Sequence, residues 1–258
     1  MPAPINRRTF LKTTGLAAAG IAGASISQIT CSRPRFDLVI RGASILDGTG
    51  KPAYQADLGI TGDTIAALGA IDPGQGKREI QASGFHLCPG FIDIHTHSDR
   101  TILAYPEAES RIFQGVTTEI TGNCGFSSAP LTGVDVENRR EELEEWLNGG
   151  KADWSDVDSY LARIEETGSA VNFALLLGQG SLRRNAVGLV DRPLTADELK
   201  AVIRAVEEGM EQGAVGLSTG LEYIPGSYTP TGEVVALAKA AARRGGIYAT
   251  HVRDEGAE

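Results

Sequence analysis

From Pro89 onward the apolar positions of the chain fall into two alternating patterns. Short runs of strand length occupy Phe91–Ile94, Thr117–Ile120, Asn172–Leu177, Ala214–Leu217 and Ile247–Thr250. Helical spacing lies between them. Leu199, Val202, Ile203, Val206 and Met210 stand three or four residues apart, behind the capping-box sequence Thr195-Ala196-Asp197-Glu198 and ahead of Gly213. Val157, Tyr160, Leu161 and Ile164 repeat that spacing after Ser155 and stop at Gly168, and a further helix is expected from about Pro230 to Arg244, before Gly245-Gly246. Strands that alternate with helices predict βα units and a parallel sheet, so the fold class is α/β. Residues 127–154 interrupt the rhythm with an acidic helical insertion around Glu141–Trp146, expected to be a solvated cover over one mouth of the sheet.

Between Phe36 and Leu87 the pattern is different. Short runs at Asp37–Arg41, Ser44–Leu46, Leu58–Ile60, Thr64–Leu68 and Glu79–Gln81 are punctuated by turn sequences such as Asp47-Gly48-Thr49-Gly50 and Gly62-Asp63. This predicts a small β module over residues 36–88, separate from the α/β part at 89–258. It holds no cluster of ligand-type or nucleophilic side chains, and its His86 is expected to be structural, so its role is scaffolding.

Composition narrows the function classes. The chain has 258 residues, 41% of them apolar, enough for a proper core. A formal charge of −9, with no Lys/Arg cluster beyond the first dozen residues, argues against nucleic acid or an anionic membrane as the main partner and favours a small molecule. Three cysteines, Cys31, Cys88 and Cys124, are too few and too scattered for a disulfide framework.

Residues 1–31 read as an address. Asn6-Arg7-Arg8-Thr9-Phe10-Leu11-Lys12 is a twin-arginine type motif ahead of an uncharged stretch rich in Ala, Gly, Ser and Thr. That composition favours an export signal, engaging the twin-arginine machinery transiently, over a membrane anchor, which would be richer in Leu, Ile, Val and Phe. The expected location is periplasmic or otherwise extracytoplasmic, with tethering through this segment as the alternative. No stable membrane span is expected.

The chemistry concentrates at the ends of the predicted strands. Phe91–Ile94 leads into His95-Thr96-His97, and because strand side chains alternate, both imidazoles project from one face. At a rise of ~3.3 Å per residue they stand roughly 6–7 Å apart, within reach of one metal ion. The second strand leads into Thr121-Gly122-Asn123-Cys124-Gly125, where Cys124 is either a small buried hydrophobe or a ligand. The fifth leads into His251-Val252-Arg253, with His251 able to bind metal and Arg253 to pair with a carboxylate. Two His, a Cys and a third His from separate strand ends form a set that zinc accepts, and zinc makes a bound water nucleophilic near neutral pH.

On these residues the chain resembles the amidohydrolase superfamily and, within it, the N-acyl-D-amino-acid deacylases (D-aminoacylases). The resemblance is carried by Pro89-Gly90-Phe91-Ile92-Asp93-Ile94-His95-Thr96-His97, Gly122-Asn123-Cys124-Gly125, Gly216–Gly226 and Tyr248–Glu255, and it extends over roughly residues 36–258. It implies a partial (β/α)8 TIM-type barrel, with about five strands present, preceded by a small β-sandwich module. It implies a centre of one or two zinc ions held by His95, His97, Cys124 and His251, with Cys124 as a bridging thiolate and Tyr223 near the substrate. Arg253 is a further candidate for substrate binding. The implied reaction is hydrolysis of an N-acyl-D-amino acid to a carboxylate and a free D-amino acid by zinc-activated water. Cyclic amides or dipeptides are the alternative substrates.

Two departures accompany the resemblance. Gly178-Gln179-Gly180 stands where relatives commonly have Gly-His-Gly, and no His follows His251. The family's remaining metal ligand, catalytic aspartate and substrate-carboxylate contacts come from later βα units. The chain is therefore expected to be the N-terminal part of a longer enzyme, with that aspartate beyond residue 258, or else a catalytically inert fragment.

Overall fold

The structure, a computed structural model, describes residues 34–256, so the expected export address at residues 1–31 lies outside the described residues. The chain divides into two compact units that part between Cys88 and Pro89.

The first unit is a mixed five-stranded sheet. Its strands are β1 (Phe36–Ile45), β2 (Tyr54–Thr61), β3 (Thr64–Gly69), β4 (Gly76–Gln81) and the short β5 (His86–Leu87). β1 is central: it pairs antiparallel with β2 and parallel with β4 and β5, while β2 and β3 form an antiparallel hairpin. The two runs read separately at Asp37–Arg41 and Ser44–Leu46 belong to one strand, interrupted in register between Ile40 and Ala43. Gly42 supplies the positive φ of 65° that this irregularity needs, and its N–H donates to Asp57 Oδ1 at 2.8 Å. Phe36, Val39, Ala43, Ile45 and Leu58 form the buried apolar positions, and Arg41 pairs with both Asp57 (3.0 Å) and Glu79 (2.7 Å). His86 is exposed.

The second unit is built of βα repeats. Its strands are β6 (Phe91–Asp93), β7 (Val116–Thr121), β8 (Asn172–Gly178), β9 (Gly216–Gly220) and β10 (Ile247–His251). All are parallel, and the order β10-β9-β8-β7-β6 is sequential, so each crossover advances by one strand in the same direction. The helices are α1 (Glu109–Ile112), α2 (Val136–Glu144), α3 (Val157–Thr167), α4 (Gln179–Val187), α5 (Ala196–Glu211) and α6 (Thr231–Arg243). A sheet wound in this way curls into part of a (β/α) barrel. The curl is measurable, because strands ~4.8 Å apart would separate the ends of β7 and β10 by about 14 Å in a flat sheet. Instead Cys124 Sγ, just past β7, lies 3.7 Å from Nδ1 of His251 on β10.

The core lies between this sheet and its helices. Leu175, Leu176 and Leu177 of β8 are all fully buried, as a strand covered on both faces requires, and Leu175 and Leu177 join Val157, Tyr160, Val202 and Val206 from α3 and α5 in one cluster. Each such side chain contributes about 1.5–3 kcal/mol by burial. Helix starts follow local chemistry. Thr195 and Glu198 form the reciprocal capping box of α5, and Asp156 and Ser159 form one for α3, one residue later than the Ser155 start read from spacing. The edge strands differ from the buried strands their apolar sequences predict: Phe91, Ile92, Ile94, Ile247 and Tyr248 are exposed, since β6 and β10 each have only one neighbour among the described residues.

One further correction concerns the stretch read as a solvated cover. The inner side of residues 127–154 is buried, including Arg139, Leu143, Leu147 and Trp154, whose indole N–H donates to Ser128 O at 2.8 Å. Helix α4 begins directly at Gln179 and has no apolar stripe. It is buried through polar residues, among them Arg183, paired with Glu233 at 3.2 Å, while Arg183 Nε and Gln179 Oε1 have no hydrogen-bond partner among the described residues.

Candidate metal centre

His95-Thr96-His97 follows β6 through a bend at His95 and leads into a 3-10 turn at Ser98–Arg100. Alternation holds through this stretch. Thr96 is buried, donating its N–H to Ile120 O at 3.1 Å, and the two imidazoles lie on the other side, ring centroids 5.8 Å apart and 73° between planes. The turn is anchored from below. Ser98 Oγ donates to the buried Glu119 carboxylate at 2.8 Å, and the buried Asp99 carboxylate accepts from Ser128 N at 2.9 Å. Asp99 therefore ties the loop after β6 to the loop after β7. Burial holds its carboxyl above the usual carboxylate range, with Arg100 and these hydrogen bonds acting the other way.

Cys124 occupies strained backbone at φ 54°, a region that L side chains rarely adopt. Its neighbours make the conformation feasible. Gly122 and Gly125 have φ of 74° and 76°, and a Cβ on Gly220 would come 1.9 Å from Cys124 O, so only glycine lets β9 approach this loop. The thiol is thereby set 3.2 Å from His95 Nε2 and 3.7 Å from His251 Nδ1. Its own burial raises its pKa, while Arg100 acts in the opposite direction. Desolvation lowers the pKa of His97, against the attraction of Asp99, which favours the neutral imidazole that ligation needs.

One potential ligand atom from each of His95, His97 and Cys124 lies within 4.8 Å of the others, a group able to hold a metal ion. Two imidazole nitrogens and a thiolate are the donor types that zinc takes, so the residues fit that metal. His251 adjoins the group from the far strand. Its Nε2 lies 2.8 Å from Glu222 Oε2 and 3.4 Å from Glu255 Oε1, and the Tyr223 hydroxyl is 3.3 Å from both ring nitrogens. The Tyr223 and His251 rings are 4.6 Å apart, and desolvation raises the Tyr223 pKa, so its hydroxyl stays protonated and available as a donor.

One residue singled out in the sequence lies elsewhere than expected. Strand β10 ends at His251, so Arg253 does not share its strand face. Its guanidinium donates to Ser227 O at 3.2 Å and Thr229 O at 2.9 Å, where a carboxylate partner was expected. Gln179 is buried, and its amide N–H donates to Thr229 Oγ1 at 2.8 Å, so Gln179 and Arg253 both brace the loop that carries Glu222 and Tyr223. Glu222 and Asp99 are polar partners of the centre that pattern reading passed over. Glu222 lies within the Gly216–Gly226 stretch and Asp99 two residues past His97, and that proximity is their signal in the sequence.

The chain matches the model of the Amidohydrolase family over residues 78–252. It is similar to the D-aminoacylase of Alcaligenes xylosoxydans xylosoxydans, 39% identical over 221 residues, which cover 86% of this chain and 45% of that protein. It is also similar to the N-acyl-D-aspartate deacylase of the same organism, at 40% identity over 85% of this chain and 44% of the relative. Among solved structures it resembles the N-acyl-D-glutamate deacylase from Bordetella bronchiseptica complexed with zinc and a phosphonate inhibitor. The TM-score is 0.78 at 35% identity, covering 86% of this chain and 46% of that one. The chain thus spans a little under half the length of these relatives, and it belongs to the Amidohydrolase family.

Proposed function

Starting from membership of the Amidohydrolase family, we propose that the protein hydrolyses the amide bond of N-acyl-D-amino acids at a metal centre held by His95, His97, Cys124 and His251. The observation that carries this reading is the convergence of three strand ends on one point, with Cys124 Sγ 3.2 Å from one imidazole and 3.7 Å from another. A thiolate between two imidazoles suits one zinc ion or a bridged pair. When bound, zinc supplies Lewis acidity that polarises a carbonyl and makes water nucleophilic at neutral pH.

The remaining work falls to the protein's own side chains. Glu222 accepts from the Nε2–H of His251, which fixes the tautomer and leaves the Nδ1 lone pair directed toward Cys124. Tyr223 presents a protonated hydroxyl beside His251, placed to donate a hydrogen bond to a bound substrate. Arg253 and Gln179 hold the Tyr223 loop from behind. The names of the relatives support the N-acyl-D-amino acid class. The twin-arginine motif at Arg7-Arg8 supports an extracytoplasmic address.

The test uses the full protein, N-acetyl-D-amino acids and their L-enantiomers, with bound zinc measured in parallel. Hydrolysis selective for the D series, lost together with zinc in Cys124→Ala, is the expected result. Undiminished zinc and turnover in Cys124→Ala would remove Cys124 from the centre.

A further inference from the structure

The left-handed backbone of Cys124 is permitted by its glycine neighbours, but they do not require it. A residue with a side chain keeps such a conformation only where its surroundings hold it there. The hydroxyl of Ser218, on β9, reaches this turn. It donates to Gly122 O and accepts from Gly125 N at 3.0 Å. One oxygen thus ties together the two peptide groups that flank Asn123-Cys124. On the far side of the turn Asp99 Oδ1 accepts from Gly122 N at 3.4 Å, a longer contact.

Ser218 is suited to this by its place in the sheet. It is wholly buried and lies in register with Gly178 of β8 on one side and Ala249 of β10 on the other, so its own backbone is fixed by two neighbouring strands. Side-chain alternation puts Ser218 and Gly220 on one face of β9, and both meet the Cys124 turn: Gly220 leaves room for Cys124 O, and Ser218 supplies the hydrogen bonds. A hydroxyl gives one proton and keeps its lone pairs, so it serves a carbonyl and an N–H at once. Gly122 and Gly125 are both buried, and neither group has bulk water to turn to. Thr219 provides the contrast. It is just as buried but faces the opposite way, with its hydroxyl 2.8 Å from the Tyr248 hydroxyl and 2.7 Å from Thr250 Oγ1.

We propose that Ser218 is a positioning residue for the metal centre: its hydroxyl holds the turn at residues 122–125 in the conformation that sets Cys124 Sγ 3.2 Å from His95 Nε2 and 3.7 Å from His251 Nδ1. The proposal rests on the reading of this group as a metal centre and deepens it. Ser218 acts through the backbone on either side of Cys124, as a group behind a ligand does when it fixes that ligand's direction. The thiol is then in place before an ion arrives, so the effect of the hydroxyl is present in the zinc-free protein as well.

The experiment compares the full protein with Ser218→Ala and with Thr219→Val, which removes an equally buried hydroxyl from the same strand without touching the turn. Three quantities are read: zinc affinity in competition with a chelator, the thiolate-to-metal charge-transfer band of the cobalt-substituted protein, and the rate at which iodoacetamide alkylates Cys124 in the zinc-free protein, resolved by peptide mass spectrometry. Ser218→Ala should weaken zinc binding about 10- to 100-fold, weaken or shift the band, and speed the alkylation of Cys124. Thr219→Val should leave all three at parent values, although both variants lower Tm. Equal effects from the two variants, or none from Ser218→Ala, overturn the proposal. Ser218→Cys keeps the size of the side chain with a weaker donor and acceptor, so it should fall between the parent and Ser218→Ala, and it carries the comparison if Ser218→Ala does not fold. Cys124→Ala separates this proposal from the reading it rests on. If Cys124→Ala binds zinc as the parent does while Ser218→Ala still speeds alkylation, the metal reading is wrong and the hold on the turn stands. If Cys124→Ala loses zinc while Ser218→Ala matches the parent in all three quantities, the hold is wrong and the centre stands.

Discussion

Glu222 and Cys124 stand on opposite sides of the His251 ring: the carboxylate is 2.8 Å from Nε2, and the thiol is 3.7 Å from Nδ1. A carboxylate behind a ligating imidazole fixes both its tautomer and its orientation, and removing such a partner weakens metal binding about 10- to 100-fold. Glu222→Ala should show that loss in zinc competition against a chelator, with Glu222→Gln weakened less because it keeps an acceptor. Parent-like affinity in Glu222→Ala would mean that His251 is oriented by something else.

Gly220 and Gly232 should respond to alanine in opposite directions. A Cβ at Gly220 would strike Cys124 O at 1.9 Å, whereas a Cβ at Gly232, in the first turn of α6, meets nothing within 4 Å. Gly220→Ala should lower Tm by several degrees and reduce bound zinc by displacing the Cys124 loop. Gly232→Ala should stabilise by about 0.4–1 kcal/mol, through reduced freedom of the unfolded chain. Thermal melts of the two variants against the parent check both signs.

The buried pair Arg183–Glu233 gives a third expectation. Arg183 is wholly buried, and Glu233 also accepts from Leu194 N at 2.7 Å. Arg183→Met strands that carboxylate and should cost about 3–5 kcal/mol in denaturant unfolding. Adding Glu233→Gln should recover part of the loss, and a double variant no more stable than Arg183→Met would show that the carboxylate was not the source.

Acid sensitivity has an identifiable contributor in Glu198. Its hydrogen bonds from Arg192, and then from the Thr195 backbone, hold its pKa at about 2, below the ordinary 4.5. A folded pKa below the unfolded one means stability that is present above pH 4.5 and disappears as the pH falls toward 2. The stability gap between the parent and Glu198→Gln should therefore narrow between pH 5 and pH 2. A gap that stays constant across that range would exclude this linkage.

Much of the second unit is legible in the sequence, for a physical reason. Strands covered on both faces read as continuous apolar runs, as Leu175-Leu176-Leu177 does, and α5 announces itself through its stripe and its capping box. Helix α4 escapes that reading because it buries Gln179, Arg183 and Asn185 by pairing them, and pairing leaves no periodic mark. The bulge at Gly42 disguises one strand as two. Among the candidate ligands, His251 ends β10, and His95, His97 and Cys124 follow the ends of β6 and β7 within four residues, which is what makes them stand out in the sequence. Glu222 and Asp99 do not, because their value lies in what the curl of the sheet brings near them. Arg253 fails for the complementary reason: strand alternation was extended two residues past the point where β10 ends.

The spacing of the ligands along the chain has a kinetic consequence. His95 and Cys124 are 29 residues apart, whereas Cys124 and His251 are 127 apart. Loop-closure entropy lets the near pair form once the first two strands are joined, while the far contact waits until β8, β9 and β10 have been added in turn. During synthesis, the candidate ligands His95, His97 and Cys124 can therefore come together while the strand bearing His251 is still emerging.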